Sequence, residues 1–242
     1  MIVLDKKKIM LAIAGVFILI IVVCVFRFSK NQKNVIPTVA LPVSNKVIVL
    51  DAGHGRRRPE EVQLLIGLSE AGINLNIALK VQNLLEQAGS TVILTRSDDN
   101  GIYDLDKKTL REKKVSDIKN RVKIGNESEA DIFVSIHMNK IPETQYWGWQ
   151  TFFKKDDEKS KMLAKCLQSG LNETIQKENK RESLKIENVY IIEHVEIPTA
   201  IVECGFLSNE EEKELLKTNE YQDKLAWGIY IGLMDYFYQS NP

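Results

Sequence analysis

Cysteine, histidine and net charge are all scarce in this chain, and each shortage narrows the possible classes of protein. The 242 residues include three cysteines and no C-x-x-C pair, which argues against a disulfide framework. We therefore expect Cys166 and Cys204 to be buried, unpaired thiols. Acidic and basic residues number 33 each, so no basic excess points to nucleic acid as a partner. Histidine occurs only three times, so the position of each one is informative.

The N-terminal segment predicts export. Residues 1–8 include three consecutive lysines and are interpreted as a cytoplasmic basic region. Residues 9–26 form an apolar run that reaches the roughly 18 residues of a membrane span and exceeds the roughly 7–15 of a cleaved signal core. We predict an uncleaved signal-anchor in the membrane, with a cleaved export signal as the alternative. Residues 27–45 are then a linker, and residues 46–242 form one domain.

Hydrophobic patterns in the domain predict an α/β fold. Apolar runs of strand length alternate with stretches in which apolar residues recur at helical spacing. The predicted strands are Lys46–Asp51, Thr91–Thr95, Asp131–Ile136, Trp149–Phe153, Val189–Ile192 and Thr199–Cys204. The predicted helices are Glu70–Gln87, Val115–Glu127, Lys159–Gln176 and Tyr221–Phe237, and Asp98–Lys114 is a charged surface loop with some helix. This alternation predicts a mostly parallel, twisted sheet of about six strands with helices on both faces, preceded by an N-terminal hydrophobic helix.

Two histidines and two glutamates lie where these elements end or begin. His54 and His137 end strand-like runs, Glu70 opens a helix, and Glu203 lies at the end of an apolar run. Taken singly, a histidine after a strand or a glutamate in a first helical turn is ordinary. A carboxylate within an apolar strand is less so, because its burial costs several kcal/mol unless it is paired or functional. Open α/β sheets bind ligands at the carboxyl ends of their strands, so these groups are expected to converge.

This set of side chains can supply a catalytic zinc site. Such a site takes three protein ligands and leaves one position for water, whose pKa the metal lowers to about 7. A further carboxylate that does not bind the metal can take the proton from that water. His54, Glu70 and His137 are the candidate ligands for Zn²⁺, and Glu203 is the candidate base.

The same residues carry a resemblance to a known family. The matching segments are Asp51-Ala-Gly-His54-Gly, Glu70 with Ile73-Asn74-Leu75, Thr95-Arg96, Arg121, Ser135-Ile-His137-Met-Asn139 and Glu203-x-Gly205-Phe206-Leu207-Ser208-Asn209. They resemble, in the same order, the zinc-dependent N-acetylmuramoyl-L-alanine amidases, which are bacterial cell-wall hydrolases. The resemblance covers the chain from about Lys46 to Phe237 and is strongest to the germination-specific members that act on the spore cortex.

The resemblance implies the reaction and the roles of individual residues. The substrate would be peptidoglycan, cleaved at the amide between the lactyl group of N-acetylmuramic acid and L-alanine. His54, Glu70 and His137 would bind zinc, and Glu203 would be catalytic. Asn139 and Arg121 are candidate substrate-binding residues. The third histidine, His194, matches no ligand position and is interpreted as a non-ligand.

One segment departs from the family pattern. Three arginines and an apolar patch occupy Arg56–Ile66, where the family has a small, glycine-rich loop. The segment could suit a different substrate edge or a protein partner, could weaken the zinc site, or could reflect two compensating frameshifts. Besides the zinc amidase, two functions therefore stay open: a wall-binding protein without turnover, and a related zinc peptidase or deacylase.

Overall fold

The computed structural model describes residues 7, 10, 14–23, 40–55 and 69–240. Residues 1–40 and 41–242 are separate units, and residues 14–23 of the first are helical. Across the described ranges, no helix has both the length and the apolar character needed to cross a membrane. The span predicted over residues 9–26 falls only partly within these ranges and stays a prediction. The atypical segment Arg56–Ile66 lies outside the described residues.

The second unit is built from alternating strands and helices. Its described elements are β1 Val47–Ala52, α1 Glu70–Gln87, β2 Thr91–Leu94, α2 Leu110–Glu127, β3 Ile132–Asn139, β4 Gln150–Lys154, α3 Glu158–Ile175, β5 Leu184–Ile186, α4 Tyr190–His194, β6 Thr199–Phe206, α5 Glu210–Leu216 and α6 Asn219–Ser240. The helix predicted over Glu70–Gln87 has the predicted bounds, and its start is fixed by Ser69, whose side chain accepts a hydrogen bond from Gly72 N.

The strands form one six-stranded sheet in the order β2-β1-β3-β6-β4-β5. β2, β1, β3 and β6 run parallel to one another, whereas β4 runs antiparallel to β6 and parallel to β5. The predicted mostly parallel sheet is therefore confirmed. The carboxyl ends of β1, β3 and β6 meet at one edge, which brings the ends of three distant sequence segments together.

Helices cover both faces of the sheet, as predicted. On one face, α1, α3 and α6 enclose the larger apolar cluster, which includes the fully buried Trp149. On the other face, α2 and α4 pack against a smaller cluster around Val49 and Phe133. Cys166 and Cys204 are both buried and unpaired, which confirms the prediction for these two thiols.

One predicted strand is wrong. Val189–Ile192 was expected to be extended, but Tyr190–His194 is a short helix, and the edge strand is Leu184–Ile186. An apolar run of four residues fits either a strand or one turn of helix, so its periodicity cannot decide between them. The first turn of α2 is a second difference, because Thr109 and Glu112 form a capping box that starts this helix at Leu110.

Candidate functional site

Three of the predicted side chains meet at the carboxyl edge of the sheet. Glu70 Oε1 lies 2.9 Å from His54 Nε2 and 3.9 Å from His137 Nδ1. The two imidazole rings approach edge to face, with centroids 4.9 Å apart and an interplanar angle of 79°. β1 and its following loop supply one histidine, β3 the other, and the N-terminus of α1 supplies the carboxylate.

A glycine makes this approach of the histidines possible. A Cβ added to Gly53 would lie 2.3 Å from both Cε1 and Nε2 of His137, closer than real Cβ contacts allow. The next residue, His54, has a φ of 59°, a left-handed conformation that costs a non-glycine residue about 1–3 kcal/mol. Such strain is characteristic of backbone held in place around a functional site.

The donor set fits a transition metal ion. One ligand atom from each of His54, Glu70 and His137 lies within 4.8 Å of the others. Two imidazoles and one carboxylate match a ligand set of catalytic zinc, whose bonds of about 2.0–2.2 Å place ligand atoms about 3.3 Å apart. Burial raises the pKa of Glu70, but hydrogen bonds from both histidines outweigh it and bring the pKa to about 2. The carboxylate is therefore ionised at neutral pH, as a metal ligand must be.

Glu203 lies beside this cluster, in register with His137 on the adjacent strand. Its Oε2 atom is buried and has no hydrogen-bond partner among the described residues. Burial raises the pKa of Glu203, the nearby charge of His137 opposes that rise, and the negative charge of Glu70 adds to it. An unpaired buried carboxylate oxygen is unfavourable unless something else occupies the space next to it. Glu203 therefore has a free acceptor atom where a water or a substrate group can bind.

A buried ion-pair network around Arg121 holds the backbone that carries His54. Arg121 is 1% exposed, and its Nη1 donates to Asp51 Oδ1 at 2.6 Å while its Nε donates to Asp117 Oδ2 at 2.8 Å. Its Nη2 donates to the carbonyl oxygen of His54 at 2.5 Å. Burial by itself raises the pKa of Asp51, but Arg121, His137 and two hydroxyl donors outweigh it, so this pKa lies below its usual range. The network ties the strained His54 backbone to β1 and α2.

A second buried arginine joins the segments that carry His54 and Glu70. Arg96 Nη2 donates to Gly53 O at 3.0 Å and to Ala71 O at 2.7 Å, and its Nε donates to Ala52 O at 2.8 Å. Ala71 follows Glu70 in the first turn of α1. Arg96 therefore fixes the distance between the loop that carries His54 and the helix that carries Glu70. From the sequence, this arginine is identified only as part of a family motif.

The remaining candidate residues are placed as follows. Asn139 lines the same cavity as His137, and its backbone oxygen accepts a hydrogen bond from Leu207 N. All three nitrogens of Arg121 donate to the protein itself, so the substrate contact predicted for it stays a prediction. His194 lies at the end of α4, where its ring stacks on Tyr190 at 3.8 Å, and it is not part of the cluster of His54, Glu70 and His137.

The site opens into a cavity of about 380 Å³. Its polar lining includes His54, His137 and Glu203. Its apolar lining is formed by Ile118, Phe152, Ile186, Val189, Tyr190, Ile191 and Ile201. The arrangement suits hydrolysis of a polar bond in a cleft that also receives an apolar part of the substrate.

Sequence comparison decides among the reactions that such a site can serve. A profile of the N-acetylmuramoyl-L-alanine amidases matches residues 48–235. The chain belongs to this family. The amidase is 34% identical to the germination-specific N-acetylmuramoyl-L-alanine amidase of Bacillus subtilis (strain 168) over 225 residues, 93% of each chain. It is also 29% identical to the amidase LytC of the same organism over 224 residues, 86% of this chain and 42% of LytC.

Solved structures agree with this membership. The amidase is similar to the CwlD amidase of Clostridioides difficile, solved in complex with the GerS lipoprotein, at 44% identity and a TM-score of 0.75. That match covers 81% of this chain and 100% of the other. The catalytic domain of CwlV from Bacillus (Paenibacillus) polymyxa var. colistinus matches at 29% identity and a TM-score of 0.64, covering 79% of this amidase and 97% of CwlV. The predicted fold, family and enzyme class are confirmed.

Proposed function

We propose that this amidase is a zinc enzyme in which His54, Glu70 and His137 hold the metal and Glu203 moves the proton. The observation that carries the proposal is the unpaired, buried Oε2 of Glu203, next to three donor groups of the kind that zinc prefers. The substrate is peptidoglycan, and the bond cleaved joins the lactyl group of N-acetylmuramic acid to L-alanine.

The residues divide the reaction between them. When bound, zinc supplies a water of lowered pKa and polarises the lactyl carbonyl. Glu203 accepts a proton from the attacking water, so that the new C–O bond forms without a protein nucleophile. As the C–N bond breaks, Glu203 passes that proton to the departing nitrogen of L-alanine. Burial raises the pKa of Glu203, which makes it a better proton acceptor than an exposed glutamate.

The buried arginines act on the ligands and not on the substrate in this proposal. Arg121 holds the carbonyl oxygen of His54, and Arg96 joins Gly53 to the first turn of α1. Both keep the three ligand atoms close together before the metal arrives. A site prepared in this way loses less conformational freedom when it binds its ion. Asn139 is the remaining candidate for a direct substrate contact from β3.

Removing zinc is expected to abolish the activity and leave the fold intact. The central apolar clusters are independent of the metal ligands, so circular dichroism should change little after chelation. Release of L-alanine amino termini from purified peptidoglycan should fall to background and return at one equivalent of added zinc. Full activity of the metal-free protein would contradict the proposal, and a zinc-loaded protein that binds peptidoglycan without turnover would favour a wall-binding role.

We further propose that the enzyme is exported and trims stem peptides in the spore cortex so that muramic lactam can form. The germination-specific relative in B. subtilis supports this substrate, and residues 9–26 are the proposed export segment. The GerS complex of the C. difficile relative supports a protein partner for this chain as well. Cortex from spores that lack the gene should contain no muramic lactam, and normal lactam content would exclude this role.

A further inference from the structure

The charged groups that line the catalytic cavity are almost all engaged by other parts of the protein. Asp51 and Asp117 are both bound to Arg121, whose own nitrogens are fully used. His54 and His137 face Glu70. These contacts account for every charged lining group except Glu203, which the mechanism uses, and one lysine at the cavity edge.

That lysine is Lys114, an exposed residue in the second turn of α2. Asp117, one helical turn further on, would be its natural partner. Its Oδ2 accepts from Arg121 Nε at 2.8 Å, and its Oδ1 accepts from Ile102 N at 2.7 Å. Within the ranges that the structure describes, Lys114 forms no ion pair, and among the lysines it is the one that lines this cavity, so its ammonium group is available to a ligand there.

The substrate offers a group of the opposite charge. A peptide joined to the lactyl group through the amino group of its first residue carries its other end, and any acidic side chains, as free carboxylates. In the proposed function the scissile amide lies beside Glu203, one of the lining residues, which leaves the rest of the cavity for a neighbouring part of the substrate such as its peptide. Lysine presents a compact charge on a flexible four-carbon stem, which suits a carboxylate whose position varies with peptide length.

We propose that Lys114 binds a carboxylate of the peptide leaving group and so determines specificity for acidic stem peptides. The inference rests on the proposed function, because it assigns the cavity to the peptide of that substrate. The apolar lining residues of the cavity, which include Phe152 and Tyr190, take the uncharged part of the substrate. Lys114 belongs to neither the metal site nor the proton path, so its loss should act on KM and not on kcat.

The test compares Lys114→Met with Lys119→Met on two soluble muropeptides, one with free carboxylates and one with those carboxylates amidated. Lys119 lies on the same helix but lines a different surface pocket, so its variant removes the same charge away from the cavity. Lys114→Met should raise KM about five- to tenfold for the free peptide and leave kcat unchanged. Lys114→Arg should restore KM, and Lys119→Met should match the wild type.

Amidation supplies the other half of the test. The KM of the wild type for the amidated peptide should equal the KM of Lys114→Met for the free peptide. Lys114→Met should have the same KM for both peptides. Equal KM values for the wild type and Lys114→Met on the free peptide would overturn the inference while the proposed function stands. If the zinc-loaded wild type cleaved neither peptide, the proposed function would fail and the inference with it.

Discussion

Replacing Glu203 by glutamine is expected to lower kcat by roughly 10²–10⁴-fold, the usual contribution of a positioned general base. The amide occupies the same space as the carboxyl but cannot accept a proton from water. Glu203 is not among the three residues whose ligand atoms cluster, so the variant should still bind one zinc ion per chain. Metal content by atomic absorption and turnover on peptidoglycan, measured on the same preparation, check both parts of the prediction.

A matched control is available on the connection that leads into the same strand. Glu196 is exposed, lies outside the cavity and precedes β6, so Glu196→Gln makes the same chemical change without touching the site. Its kcat should equal that of the wild type. Normal turnover by Glu203→Gln would mean that another group is the base, and loss of zinc from that variant would mean that Glu203 helps to hold the metal.

Replacing Gly53 by alanine is expected to lower the affinity for zinc by about 10- to 100-fold, with a matching loss of activity. The added methyl group would overlap the ring of His137, with Cε1 and Nε2 at 2.3 Å and Cδ2 at 2.6 Å. The backbone cannot retreat easily, because Gly53 N donates to Ile136 O at 2.9 Å and Arg96 holds Gly53 O. The imidazole must therefore move away from the other ligands. Competition with a chromophoric chelator measures the change in affinity.

A double substitution separates this effect from general destabilisation. If Gly53 acts only by making room for His137, then Gly53→Ala should add nothing to the loss of zinc affinity already caused by His137→Ala. Additive losses would show that the methyl group disturbs another part of the site, such as the strained backbone at His54. An unchanged affinity in Gly53→Ala alone would contradict the close approach on which the prediction depends.

The convergence of the ligands could be predicted because it depends on strand direction alone. Two strand-like runs end in His54 and His137, and the carboxyl ends of parallel strands meet at one edge of a sheet. Glu203 could be identified because an acidic residue in an apolar strand demands an explanation. The strands of the sheet and most of its helices could be predicted because strands and helices have different apolar periodicities.

The support beneath the ligands could not be predicted from these patterns. Arg121 and Asp51 are 70 positions apart in the chain, and only the packing of α2 against β1 reveals that they form a buried pair. The same limit applies to Lys114, which the sequence places in a charged surface loop and the structure places on α2 at the edge of the cavity. In the sequence it is one of many lysines, and its lack of an acidic partner is a property of the fold.

The identity of the cleaved bond tests the central claim most directly. Purified peptidoglycan is digested with the zinc-loaded protein, and the soluble products are analysed by mass spectrometry after labelling of free amino groups. We predict intact stem peptides that begin with a labelled L-alanine, together with glycan chains whose muramic acid residues end in a free lactyl carboxylate. Products cut within the peptide or at an acetamido group, with the lactyl–alanine bond intact, would contradict the account.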